Sequence, residues 1–193
     1  MDSRTDEQLM LALGGGELAA FDTLFRRHYA TVHALCARLT SSGEAADDLA
    51  QETFLRILRH RSTFRGDALF TTWMYSIARN VCINYMQSVK RSRLTATQWV
   101  EARAFAGGTA GEESGDQRSI LAEAFERLPS DKREVLVLCR YHDLPFEEVG
   151  KILGCSAGAA RVRAHRALAA LRELCVDLER SDERRRRGSR AGS

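Results

Sequence analysis

Proline is scarce in this chain, with only Pro129 and Pro145 among 193 residues, and both stand beside helix-start signals rather than inside periodic segments. Strand signals are nearly missing as well: there is no sustained period-two alternation and no Asn-Gly or Asp-Gly hairpin between β-branched runs. No long apolar run occurs. The longest stretch without Asp, Glu, Lys or Arg is eleven residues, Ala68 to Ala78, against the roughly 20 needed to cross a bilayer. Asp2, Arg4, Asp6 and Glu7 precede the first short apolar run, the wrong order for a signal peptide. These absences argue against β architecture, membrane insertion and secretion, and the expected location is the cytoplasm.

The cysteines also lack a pattern. Cys36, Cys82, Cys139, Cys155 and Cys175 are odd in number, far apart and without a C-x-x-C pair, so neither a disulfide framework nor a four-ligand zinc site is expected. His33 and Cys36, like Cys139 and His142, are three apart and can share a helix face, but two ligands do not make a metal site. Reduced, half-buried thiols are the expectation. Carboxylate pairs, nucleophile–base motifs and phosphate-cradling loops are missing too, and Gly14-Gly15-Gly16 has no strand before it. No catalytic residue, metal or cofactor is expected.

What is present is helical periodicity and sharply segregated charge. Apolar residues make up 44% of the chain and charged residues 28%, enough for folded cores. The net charge of +3 hides an acidic stretch, Glu44 to Glu52, with four acids and no base. Directly after it, Leu55 to Arg93 carries eight Lys or Arg residues against Asp67, a net +7. Neighbouring patches of opposite sign predict two different partners, a polyanion facing the basic one. The glycine-rich, acidic-ended segment 94–116 reads as a linker, with Trp99 and Phe105 as apolar exceptions. The chain is therefore expected to be all-α, with two small helical domains (1–93 and 117–178) joined by a flexible linker (94–116). A basic, disordered tail is expected over 179–193.

In the second domain, Phe146, Val149, Ile152 and Leu153 share a helix face that Gly154 ends. Ser156 then caps a helix whose stripe runs Ala160, Ala164, Ala167, Leu168, Leu171, Leu174 and Leu178. Its other face shows Arg161, Arg163, Arg166 and Arg172 with no acid between Ser156 and Arg172. An ordinary helix pair with a solvated charged face would share the spacing. The one-sided charge favours a helix-turn-helix whose second helix enters the DNA major groove.

In the first domain, Leu49, Ala50, Thr53, Phe54, Ile57 and Leu58 form an inward face, leaving Asp47, Asp48, Gln51, Glu52 and Leu55 outward. Acids near a helix N-terminus are ordinary, but an outward leucine among them is not. Asp47 is a candidate cap. A following helix, about Phe70 to Gln87, is expected to bury Trp73, Ile77, Val81 and Tyr85.

Leu128 to Glu173, with "LPFEEVGKILGCSAGAARVRAHRALAALRE" at its end, resembles the promoter −35-binding domain of bacterial extracytoplasmic-function sigma factors of the sigma-70 family. "FDTLFRRHYATVHALCARLT", "AADDLAQETFLRILRH" and "FRGDALFTTWMYSIARNVCINYMQSVKR" resemble the other half of that family, in the right order. The resemblance implies a non-enzymatic initiation factor that docks on core RNA polymerase (β′ clamp helices and β flap), reads −35 and −10 promoter elements and assists melting. It implies polymerase contact by Asp48, Gln51, Glu52 and Leu55. The loop Phe64, Arg65, Gly66, Asp67 and Ala68 would capture a base flipped from the −10 strand, with Asn80 beside that strand. Arg79, Lys90, Arg91 and Arg93 would sit on its phosphates. At −35 the resemblance implies Ser156, Arg161, Arg163, His165 and Arg166. An anti-sigma protein is the further expected partner. Ser76 and Ile77 stand where housekeeping relatives place two adjacent tryptophans, so melting would rest more on the captured base. The alternatives are a stand-alone helix-turn-helix regulator that binds duplex DNA without polymerase, and a helical adaptor that binds only protein.

Overall fold

Thr5 opens the first helix with a capping box: its hydroxyl accepts from the Gln8 N–H while the Gln8 side chain accepts from the Thr5 N–H. The computed structural model describes residues 2–97 and 116–190, with side chains over 2–92 and 120–182. Among the described residues the regular secondary structure is helical, without strands. In the first domain, α1 (Asp6–Gly14), α2 (Leu18–Thr40), α3 (Gly43–Arg59) and α4 (Phe70–Thr97) pack together. In the second, α5 (Asp116–Arg127), α6 (Ser130–Leu136), α7 (Phe146–Leu153) and α8 (Ala157–Arg190) do so. Pro129 and Pro145 stand directly before α6 and α7, where a missing N–H costs nothing. A π-helical turn, Val137–Tyr141, extends α6.

The first core is built from Leu24, Val32, Leu35 and Cys36 of α2, Ala46, Ala50, Phe54 and Ile57 of α3, and Phe70, Met74, Ala78 and Cys82 of α4. Phe25 meets Phe54 edge-on at 4.8 Å between centroids. Leu128, Val135, Val137, Leu138, Val149, Ile152, Ala160 and Ala167 are buried in the second domain, and the two sets join in one apolar cluster.

Several expectations are corrected. Trp73, Ile77 and Tyr85 are only half-buried; Val81 is buried, but α4 turns Phe70, Met74, Tyr75, Ala78 and Cys82 inward instead. The helix α4 runs to Thr97, four residues into the 94–116 segment. Residues 98–115, with Trp99 and Phe105, lie outside the described residues. The basic tail is not disordered up to Arg190: it continues α8 as helix. Asp47 is not the cap of α3. That role falls to Ser42, whose hydroxyl accepts from the Ala45 N–H at 3.3 Å.

Candidate polymerase- and DNA-binding surfaces

On α3, Asp47, Asp48, Gln51 and Leu55 are exposed, as the period of 3.6 required. Leu55 is 46% exposed, so packing within the chain does not account for it. Glu52 is half-buried and accepts from Arg56 at 2.7 Å. Asp47 accepts from the Tyr29 hydroxyl at 2.9 Å and lies 3.4 Å from His33. Burial first, and then Asp47, push the Tyr29 hydroxyl above its usual pKa. Asp47 thus braces α3 against α2, leaving Asp48, Gln51, Glu52 and Leu55 as the outward row.

After α3 a short turn, Arg61–Thr63, leads into the loop Phe64 to Ala68. Phe64 is buried, edge-on to Phe70 at 6.3 Å and Trp73 at 5.4 Å. Arg65, Gly66 and Asp67 are exposed and Ala68 half-buried. Gly66 has φ +77°, a left-handed conformation that other residues adopt only with strain. The loop is therefore an exposed arch with one aromatic ring, Phe64, buried at its base. Asn80, Lys90 and Arg91 lie exposed along α4; Arg93 has no described side chain.

Arg79 is different. Its guanidinium donates to both carboxylate oxygens of Glu134 on α6, one of them at 3.3 Å. Thr72 donates its hydroxyl to the buried Glu148 of α7. Tyr75 Oη stands 3.1 Å from His142 Nδ1. Arg133 donates to the Leu39 carbonyl at 3.4 Å and to Ser41 at the end of α2, where helix carbonyls lack intrahelical partners. Arg38 in turn covers the Tyr141 ring at 4.4 Å. One face of α4 and the end of α2 are thereby joined to the second domain. No sequence signal pointed to these contacts, because each pairs single polar residues far apart in the chain.

In the second domain α7 ends at Gly154, φ +66°, and the Ser156 hydroxyl accepts from the Ala159 N–H at 3.2 Å to start α8. Gly150 makes the turn tight: a Cβ there would lie 2.6 Å from the Cys155 carbonyl oxygen. Ser156, Arg161, Arg163, His165 and Arg166 are all exposed. The Arg161 guanidinium lies over the Phe146 ring at 5.3 Å, and no ion pair engages Arg161, Arg163 or Arg166 among the described residues. Such free guanidinium groups suit phosphate and guanine edges.

His33 faces Asp47 and His142 faces Tyr75, so neither joins its nearby cysteine. Among the described residues no cluster of three or more His, Cys, Asp or Glu is arranged to hold a metal ion, and no helix is long and apolar enough to cross a membrane.

Residues 24–92 match Sigma-70 region 2, and residues 118–171 match Sigma-70, region 4. The chain is 36% identical over 165 residues to RNA polymerase sigma factor CarQ of Myxococcus xanthus, covering 85% of this chain and 94% of that one. It is 33% identical over 177 residues to the ECF RNA polymerase sigma-E factor of Escherichia coli K12, covering 86% and 92%. The chain belongs to the extracytoplasmic-function group of the sigma-70 family. Among solved structures, the sigma factor RpoE in complex with the anti-sigma factor NepR from Bartonella quintana superposes with a TM-score of 0.62. That pair is 26% identical over 80% of this chain and 95% of the other. CnrH, in complex with the cytosolic domain of CnrY, shares the fold with a TM-score of 0.65 over 88% of this chain and 96% of that one, at 24% identity. Sigma factors are DNA-binding initiation factors, and this sigma factor's partners are core RNA polymerase and promoter DNA.

Proposed function

We propose that this sigma factor divides its work among three surfaces. The row Asp48, Gln51, Glu52 and Leu55 docks on the β′ clamp helices of core polymerase. The loop Phe64 to Ala68, with Asn80, Lys90 and Arg91, takes the melted −10 strand, a base leaving the stack for the loop. The start of α8, with Arg161, Arg163, His165 and Arg166, reads the −35 duplex in the major groove. Ser156 serves it as helix cap. The polymerase performs the chemistry, in the cytoplasm, and an anti-sigma protein is the expected inhibitor.

The observation that carries this reading is the division of exposed charge. A carboxylate row around an exposed leucine stands on one domain, and an acid-free arginine row stands on the other. A duplex-binding regulator without polymerase has no use for the first. Arg79 already pairs with Glu134, so reaching DNA requires exchanging Glu134 for a phosphate. Combining the chain with core polymerase and sequencing the transcripts started in vitro tests the reading. Initiation at discrete sites carrying both elements is expected; tight promoter binding by the chain without polymerase, and no change in start sites on adding it, would refute it.

A further inference from the structure

The segment before the region 2 match has no assigned role, yet α1 grips the −10 loop at three points. The Phe70 N–H, one of the donors at the start of α4 that lacks an intrahelical partner, donates to Glu7 Oε1 at 2.9 Å. Midway along the loop, the Leu11 methyls pack on Gly66, and a Cβ there would lie 3.4 Å from Leu11 Cδ1. At the loop's beginning Gly14 lies against the Arg61 carbonyl, which a Cβ would approach to 3.3 Å. The glycine run that fits no nucleotide loop therefore lets the end of α1 close on the turn before the arch.

From behind, α1 is fixed independently of these contacts. Leu9, Met10 and Leu13 are buried in the core. Asp6 accepts from Arg27 at 2.7 Å and lies 2.7 Å from His28, both on α2. Arg4 donates to Glu17 at 2.7 Å. Against that anchorage Glu7 is only half-buried, and Leu11 is 49% exposed. They add little to the core, and their contacts run to the ends and apex of one exposed loop.

We propose that Glu7 and Leu11 are positioning residues for single-strand capture, holding the Phe64–Ala68 arch in the shape that receives an unstacked base. The inference rests on that loop being the −10 reader. Preorganisation matters here because a loop that must order on binding gives up part of its affinity to that ordering. Glu7 fixes the α4 end of the arch by capping, and its carboxylate suits the positive end of that helix. Leu11 fixes the apex by contact with the one loop residue in a left-handed conformation.

The test uses the full chain with core polymerase and two probes: a template with a pre-melted −10 bubble and no −35 element, and a −35 duplex without a bubble. A 2-aminopurine at the captured position reports unstacking directly. Glu7→Ala and Leu11→Ala are expected to weaken bubble binding roughly fivefold to tenfold, the scale of a lost helix cap. The 2-aminopurine signal should fall with it, while −35 affinity stays unchanged and the thermal midpoint drops by no more than the few degrees that one lost cap implies. Glu7→Gln, which keeps an acceptor, and Leu11→Met, which keeps apolar contact, should restore most of the loss. Leu9→Ala, in the core, should lower the midpoint without selectivity between probes. Wild-type bubble affinity in both alanine variants overturns the proposal, as does loss on both probes in step with stability. Arg65→Ala and Asp67→Ala separate the two readings. If they leave bubble binding intact, the loop is not the reader and the positioning role falls with it; if they weaken it while the α1 variants do not, the positioning role alone fails.

Discussion

Arg79 of α4 and Glu134 of α6 form an ion pair across the two domains, with side-chain exposures of 24% and 14%. It is a part-buried charge contact between the two halves of the molecule, and it holds a residue expected on DNA. Removing one member of a part-buried pair leaves the other without its partner, which is usually worse than losing both. Glu134→Ala is therefore expected to loosen the domains by ~1–3 kcal/mol, read as a larger radius of gyration in small-angle scattering. Arg79→Ala with Glu134→Ala should recover part of the loss. Unchanged dimensions in the single variant would show that the pair does not hold the domains together.

The α3 row predicts a docking defect without a folding defect. Leu55→Arg with Glu52→Lys should abolish co-purification with core polymerase. Helicity and thermal midpoint should barely move, because surface changes usually stay within ~0.5 kcal/mol. Retained co-purification would remove the row from the polymerase interface.

The start of α8 predicts a loss confined to duplex. Arg163→Ala with Arg166→Ala should weaken −35 binding by ~1–3 kcal/mol per base contact and lower the salt slope by about one per lost phosphate. Fluorescence anisotropy with core polymerase present should show little effect on a pre-melted −10 bubble lacking the −35 element. Asn80→Ala should show the opposite bias. Equal losses by both variants on both probes would refute the division.

The turn of the helix-turn-helix predicts a steric defect. A methyl at Gly150 would meet the Cys155 carbonyl at 2.6 Å, and backbone cannot rotate away as a side chain does. Gly150→Ala should cost ~1–3 kcal/mol, as overpacking does, seen in the thermal midpoint of the chain.

His142 predicts acid sensitivity. Burial first, and then Arg38 nearby, lower its pKa from 6.5 to about 4, while Asp143 acts the other way; Nε2 has no partner. The unfolded chain binds this proton near 6.5 and the folded one only near 4, so unfolding takes up a proton between these values. Stability should rise with pH across that window and level off above it. Glu148, held below its usual 4.5 by hydrogen bonds from Lys151 and then Thr72, loses its contribution only at lower pH. His142→Gln should flatten thermal midpoint against pH between about 5 and 6.5; an unchanged slope would assign the effect elsewhere.

How far the sequence could be read depended on whether information was periodic. The α3 row, the stop at Gly154, the Ser156 cap and the α8 arginines all follow from helical spacing and capping chemistry, and the structure has them as expected. The buried face of α4 is offset from the one its apolar spacing suggests, with Trp73 half-buried and Met74 fully buried. That helix is covered on a second side by the other domain, so Thr72 and Tyr75 are buried as well. Thr72–Glu148 and Glu7–Phe70 were beyond reach: a hydroxyl with a carboxylate, and a backbone N–H with another carboxylate, 76 and 63 positions apart, leave no pattern in composition or period.

The unbroken α8 has a mechanical side. Its 34 residues, rising 1.5 Å each, make a rod roughly 51 Å long. Leu178, near its far portion, is seated in the protein, while Arg161 and Arg163 ride at its other end. A tilt of about 5° pivoting at the distal end swings the groove-facing end by about 4 Å, more than a hydrogen bond's length. On the proposed reading of α8, a partner that gripped the remote third of the helix and tilted it would change the angle at which the arginines meet DNA.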